Sequence, residues 1–459
     1  MTFQEIMAME DFDKKLAALK QWKDDNIAPV DKETNEQEYD GEHSILWDPA
    51  FKDETIGTGD NMRLVKKAKI IIRFQRKVVE SAVAFLFGKP VTLSVDSEDT
   101  YHAFQKLKDT WKDKKLDFFN RKLMRAVCVE TEAAELWDFK KEAGKPYEIT
   151  VQLLKESNDE YLYPFFDSKG KMQAFVHMYS LLDNGKNYEV VQIYTEEKII
   201  RAVKDSVWEI QERPNIIGKI PVVYYRQDEK EWASVDSIIE RLERMVSRHA
   251  GTNDYYSAPI AKIKGKLKKM PDKEQDGKTL FFEPELGPDG KPEYGDADYL
   301  TWDQSPESLK LEFLNLMDLA YNMTDTPNVT LDNLKGIGNY SGVALKLMFM
   351  SPLMKAMNKQ EIYGEGLERR INILKAILAF QEPKLEKEFN DLQVDVRFNS
   401  ILPESQGEVL ENLTIATGGK AVMSQETGVR KNPLVTDPDG EIDKLKSESV
   451  QNLGESFNV

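Results

Sequence analysis

The spacing of apolar residues changes several times along the chain, and each change marks an element. Phe3, Ile6, Met7, Leu16 and Leu19 recur among charged neighbours, which predicts an amphipathic helix over 3–25. Residues 26–62 keep no period and contain Gly41, Gly57 and Gly59, a pattern expected of a long loop or flap. From Leu64 to Phe87 the pattern is helical, with Ile72, Val79, Ala82, Val83 and Leu86 on one stripe and Gly88-Lys89-Pro90 as the stop. A short strand over 91–95 and a helical region over 98–127 follow. From about Val127 to Tyr225 the period shortens toward two, in ITVQLL, EYLYPFF, AFVHMYSLL, YEVVQIYT, KIIRAV and IPVVYY. Turn signals stand at Asp167-Ser168-Lys169-Gly170 and Asp183-Asn184-Gly185. Strands embedded among helices predict an α+β fold.

The second half is built differently. Val235, Ile238, Ile239, Leu242, Met245, Val246 and His249 form a single helical stripe, and Ser237-x-x-Glu240 predicts a capping box. Residues 258–304 hold short strands (IAKIKGKL, TLFFEP) separated by glycine and proline. A second helix is expected from Ser305-Pro306, with Leu309, Phe313, Leu316, Met317 and Ala320 as its stripe and Asp325-Thr326-Pro327 as its end. A glycine-punctuated loop, LDNLKGIGNYSG (331–342), leads into a helix over about 341–380 in which Pro352 predicts a kink. Met348, Met350, Met354 and Met357 read as adaptable core packing around it. A strand over 394–399 and a short acidic helical tail complete the chain. Two helices flanking an insert of about 45 residues suggest a stalk with a tip.

Composition narrows the function. The 459 residues carry 63 Lys+Arg against 80 Asp+Glu, a net charge of −17. A surface so acidic argues against a protein that coats nucleic acid, though not against one that touches it lightly. The single cysteine, Cys128, excludes an internal disulfide framework and reads as a small semi-buried hydrophobe. The acidic N-terminus is not expected to be a signal peptide, and no apolar run suits a membrane span.

Catalytic chemistry is hard to find. GPDGKP (287–292) and TGGKAVMS (417–424) miss the phosphate-loop pattern, and GIGNYSG (336–342) misses the dinucleotide fingerprint. Glu130, Glu132, Glu135 and Asp138 in VETEAAELWDF read as a solvated face rather than an acid–base pair. No cofactor or metal is expected. Lys262, Lys264, Lys266 and Lys268 alternate, so on a strand they share one face, while residues 271–304 carry a net −7. This bipolar insert suits docking to an acidic partner or to the next copy. Arg241, Arg244 and Arg248 run along the first stalk helix, where ion pairing between neighbouring copies is their expected role. The second stalk helix carries Glu307, Lys310, Glu312 and Asp318 and is net acidic.

Four stretches in register bring in a resemblance. FQRKVVESAVAFLFGKPVTLSV (74–95), the passage from NIIGKIPVVYY to APIAKIKG (215–265), LKGIGNYSGVALKLMFMSPL (334–353) and the segment from VRFNSILPES (396–448) resemble the portal proteins of tailed bacteriophages. The likeness is to the siphophage branch typical of Gram-positive hosts. It implies a portal fold: a wing (1–233), stem helices (234–257 and 305–328) and a small α/β clip (258–304). A tunnel loop, long kinked helix and wing strand (329–402) and a short helical crown (403–459) would follow.

The resemblance further implies no enzyme but a ring, about twelve copies, at one capsid vertex of the virion, assembled in the host cytoplasm. Double-stranded DNA would pass through it, held weakly and without sequence preference. The implied partners are the terminase large subunit, a head-tail adaptor, and the scaffold and major capsid proteins. The loop would project into the channel, with Lys335 its cationic contact beside Asp332. Gly336 and Gly338 would be its hinges and Asn333, Asn339 and Tyr340 its hydrogen-bonding groups. An acidic intracellular hydrolase and a monomeric scaffold or adaptor are the alternatives.

Overall fold

The computed structural model describes residues 2–56, 62–95, 98–141, 147–158, 160–183, 185–256, 260–265, 267–269, 281–286, 288, 292–293, 295–300, 306–328, 347–402, 406–432, 434–435 and 438–455. It is mixed helix and sheet, as the alternation of periods requires.

The N-terminal region is more ordered than its composition suggests. After α1 (Phe3–Met7) and α2 (Phe12–Asn26), the expected loop contains α3 (Lys32–Asp40), two short 3₁₀ turns, and β1 (Glu54–Ile56) paired with β2 (Arg63–Val65). Side-chain caps explain the difference: Asp31 caps α3 by accepting from the backbone of Thr34 at 3.0 Å, and Asp48 accepts from Ala50 at 2.9 Å. The next helix, α4, covers Phe74–Phe87 rather than starting at Leu64. Residues 66–73 before it belong to no helix or strand.

A strand, β3 (Thr92–Ser94), precedes α5 (Tyr101–Asp113) and α6 (Leu116–Glu130). The chain turns from α6 into β4 (Glu132–Lys141) through Thr131, a β-branched residue in the left-handed region at φ 68°. Then come β5 (Tyr147–Leu154), β6 (Glu160–Phe166), β7 (Met172–Asp183), β8 (Lys186–Tyr194), β9 (Lys198–Lys204), β10 (Trp208–Pro214) and β11 (Val222–Arg226). Five of these strands form an antiparallel sheet in the order β10-β9-β8-β7-β6, and three form a second sheet, β11-β4-β5. The β6–β7 turn closes at Gly170, whose φ of +80° suits a residue without Cβ. The six expected strands are all present. The additional β10, WEIQERP, is exposed nearly throughout and so shows no apolar alternation.

The main core joins α4, α5, α6, β4 and β11 to the roots of three later helices. These are α7 (Asp236–Tyr256), α8 (Pro306–Met323) and α9 (Met350–Gln381). Gly366 in α9 is required by close approach, since a Cβ there would stand 2.0 Å from the Tyr225 ring. Beyond α9 lie α10 (Glu386–Asp391), β18 (Asp395–Arg397), α11 (Gln406–Thr417), α12 (Gln425–Lys431) and α13 (Pro438–Glu455). The strand β18 pairs antiparallel with β3 (Val396 opposite Leu93), which ties the two ends of the fold together.

Three of the four carboxylates in VETEAAELWDF are buried, not solvated: Glu130 is 0% exposed, Glu132 3% and Glu135 0%. Their cationic partners come from distant segments. Glu132 accepts from Lys23 at 2.7 Å and from Lys32 and Tyr224, and Glu130 faces Lys155 at 3.3 Å. Glu135 is paired with Arg370. Burial alone would raise the pKa of Glu132, but the two lysines hold it at about 2. Cys128 is a fully buried free thiol, more enclosed than the half-buried position expected.

Candidate functional site

The stalk read from the sequence is present as α7 and α8. Ile238, Ile239, Leu242 and Met245 of α7 are buried, and Leu309, Phe313, Leu316 and Met317 of α8 pack against the same core. The first helix begins at Asp236 after a 3₁₀ turn, Ala233–Val235, so Ser237 lies inside it rather than at its cap. Pro306 opens α8 and the helix stops at Met323, with Asp325 in the left-handed region at φ 51°.

The arginines of α7 are largely engaged within the chain. Arg241 donates to Glu312 of α8 at 2.9 and 2.6 Å, and Arg244 donates through Nε to Asp48 at 2.9 Å. Both are expected from the sequence to pair with neighbouring copies; within this chain they are tied to Glu312 and Asp48. The reason is that part of the stretch 26–62, read as a loop or flap, and residues 70–72 beyond it meet α7. The buried Glu243 of α7 accepts from the backbone of Ile72 at 2.7 Å and pairs with buried His43 at 2.5 Å, and Ser247 accepts from Ile70 at 2.8 Å. Arg248 is exposed, with no ion pair among the described residues.

On α8, Glu307, Lys310 and Asp318 are exposed while Glu312 is half-buried against Arg241. The face bearing Glu307 and Asp318 also carries Leu311 and Leu314, 60% and 46% exposed. It is a mixed acidic and apolar surface, not a uniformly acidic wall.

Beyond α8, residues 329–346 fall outside the described residues, and with them Asp332, Asn333, Lys335, Gly336, Gly338, Asn339 and Tyr340. The two ends of that loop are held together. Lys355 of α9 donates to the Thr324 carbonyl at 2.7 Å, and the Ser351 hydroxyl donates to Asp325. Lys355 and Lys359 both meet buried Glu231, at 2.7 and 2.6 Å, just ahead of α7. Burial would raise the Glu231 pKa, yet the two ammonium groups hold it at about 2.

The kink expected at Pro352 is replaced by a break at Phe349. Pro352 sits in the first turn of α9, where its missing N–H would have had no helical partner anyway. The methionines around it are corrected too: Met348, Met350, Met354 and Met357 are 46–64% exposed.

The insert between the stalk helices carries β12 (Ile260–Lys264), β13 (Leu267–Lys269), β14 (Phe281–Phe282), β15 (Glu285–Leu286), β16 (Pro292–Glu293) and β17 (Asp296–Leu300). The β12–β17 register sets exposed Lys262 opposite Asp298 and exposed Lys264 opposite Asp296. Part of the basic stripe is thus faced by acids of its own insert. Lys268 lies on β13, and Lys266 falls outside the described residues.

A family model for phage portal proteins, SPP1 Gp6-like, matches residues 31–454. The chain belongs to the phage portal protein family. No curated relative matches it. Among solved structures, it is similar to a chain in the neck of an empty gene transfer agent particle, with 11% identity and a TM-score of 0.42 over 87% of this chain and 92% of that one. A chain in the virion of a native gene transfer agent particle matches with 11% identity and a TM-score of 0.40 over the same shares, 87% and 92%.

A portal protein is a structural component of the virion that works as a homo-oligomeric ring associated with the capsid. No helix among the described residues is long and apolar enough to cross a membrane.

The sequence reading missed the portal's internal ties: Asp48, His43, Glu231, Lys355 and Lys359. A lysine pair spaced i, i+4 on α9 was the one local signal, and its carboxylate lies over 120 residues earlier.

Proposed function

We propose that this portal ring is the conduit for double-stranded DNA, through which the genome is packaged, retained and released. The family match over 31–454 carries the reading. In it α7 and α8 are the stem, the insert between them is the clip, residues 1–233 with 329–402 are the wing, and the C-terminal helices are the crown. About twelve copies would surround the bore.

A sliding polyanion is best served by sparse contact, because every phosphate neutralised must be released again at each step. The net charge of −17 per copy agrees with that need. The loop clamped at Thr324–Asp325 and Ser351–Lys355 is the part that would reach the DNA, with Lys335 as its cation. The exposed Leu311 and Leu314 of α8 and the methionines of α9 suit contact with the next copy, and Arg248 suits pairing across that seam. The clip, with its alternation of lysines and acids, would dock the terminase large subunit and later the head-tail adaptor; scaffold and major capsid proteins would meet the wing.

The test is genome packaging by phage carrying Lys335→Ala or a loop shortened by Gly336 and Gly338. Intact rings with impaired packaging are expected. Normal packaging by both variants would refute the assignment of the loop.

A further inference from the structure

The five-stranded sheet has two unlike faces. One presents Phe165, Val176, Met178, Val191 and Ile193 to α1 and α2. The other packs on the three-stranded sheet through Leu136, Leu162, Phe175 and Tyr194, and next to that contact a cleft of about 590 Å³ lies between the sheets.

One deeply buried side chain lining this cleft departs from the rule that buried polar groups are paired. His177 is 3% exposed, and neither ring nitrogen has a hydrogen-bond partner; the Glu160 carboxylate is 3.6 Å away, beyond hydrogen-bond reach. Its ring is stacked on Tyr179 at 4.8 Å between centroids, which restricts its rotation.

Most of the other polar lining is already engaged. Asp138 faces Arg213 at 3.7 Å, and Glu212 accepts from Lys198 at 3.0 Å. Glu160 accepts from the Gln152 side chain at 3.3 Å and from the Lys155 backbone at 3.2 Å. Gln192 donates to Tyr179 at 3.2 Å and accepts from Tyr194. Arg201 of β9 is half-buried and makes no ion pair or side-chain hydrogen bond among the described residues.

What is left over is an imidazole and a guanidinium, in one row across β7, β8 and β9 through Gln192. Both can donate, and one carries a fixed positive charge. Their complement is an acceptor with one negative charge. A phosphate would bring a second charge close to Asp138, Glu160 and Glu212. Among the described residues no group of three His, Cys, Asp or Glu is placed to hold a metal ion. We infer that the cleft between the two sheets binds a carboxylate group, with Arg201 as its charge partner and His177 as a supporting donor. This inference is independent of the conduit reading.

The carboxylate can come from a free small acid or from an acidic side chain of a polypeptide, and one experiment separates them. Saturation-transfer NMR on the full chain would use butyrate, the capped tripeptide Ala-Glu-Ala, and uncharged butyramide. Saturable binding of a carboxylate probe is expected, at least tenfold weaker in Arg201→Gln and at least tenfold weaker for butyramide. His177→Phe, which removes the donor and keeps an aromatic ring, should weaken it several-fold. Tripeptide affinity tenfold above butyrate marks a polypeptide source, and equal affinity marks a small acid. Absence of saturable binding, equal binding of butyramide, or an unchanged Arg201→Gln would overturn the inference and leave the cleft to ordered water.

Discussion

Arg370 of α9 and Glu135 of β4 meet in the main core with neither side chain exposed, joined by three contacts of 3.0, 2.9 and 2.6 Å. The remaining guanidinium edge donates to Asn120 at 2.5 Å, and the aromatic rings of Trp111 and Phe119 flank the group. Such a pair ties the long helix to the three-stranded sheet. Arg370→Met leaves a buried carboxylate unpaired and should destabilise the fold by about 3–5 kcal/mol in chemical denaturation. Replacing both partners by apolar residues should recover most of that loss.

A second buried pair makes stability depend on pH. Burial pulls the His43 pKa down, but the hydrogen bond to Glu243, its charge, and the Glu38 carbonyl outweigh it, so the imidazole titrates above its ordinary value. A raised folded pKa means that the stabilisation is complete below the unfolded value of about 6.5 and is lost as pH rises through the folded pKa. Thermal unfolding of the wild type should weaken over that rise. In His43→Gln this part of the pH dependence should be absent.

The ties between Thr324–Asp325 and Ser351–Lys355 have a local readout. Lys355→Met removes the donor to Thr324 and one of the two cations on Glu231. A charged hydrogen bond contributes about 1.5–3 kcal/mol, so amide exchange at 324–326 and 350–353 should accelerate at least roughly tenfold. Exchange in the five-stranded sheet should not change.

Within the insert between α7 and α8, Lys262→Glu and Lys264→Glu would each place a carboxylate opposite an aspartate across the β12–β17 pair. Like charges directly opposite cost about 0.2–1 kcal/mol each. Proteolysis of the insert should quicken in the double variant, while global unfolding stays nearly unchanged. Reversing Asp296 and Asp298 as well should restore resistance.

The elements whose information is local were legible in the sequence. The two stem stripes, six strands of the sheets, and the 91–95 and 394–399 strands all carry their own periodicity. What escaped was set by partners far away. Glu130, Glu132 and Glu135 read as solvated because Lys155, Lys23, Lys32 and Arg370 lie 25–235 residues off. Residues 26–62 read as a flap because their order comes from caps and from α7, not from an apolar period. Pro352 was placed mid-helix because the break at Phe349 has no sequence marker. Of the candidate site, the helices α7 and α8 were legible, while Glu312 and Asp48 as intrachain partners of Arg241 and Arg244 were not, since they lie 71 and 196 residues away.

The most direct measurement is electron microscopy of the purified full-length chain. The account predicts closed rings of about twelve copies with a central channel, the paired helices α7 and α8 forming its stem. A preparation that stays monomeric under conditions where the chain is folded would contradict it.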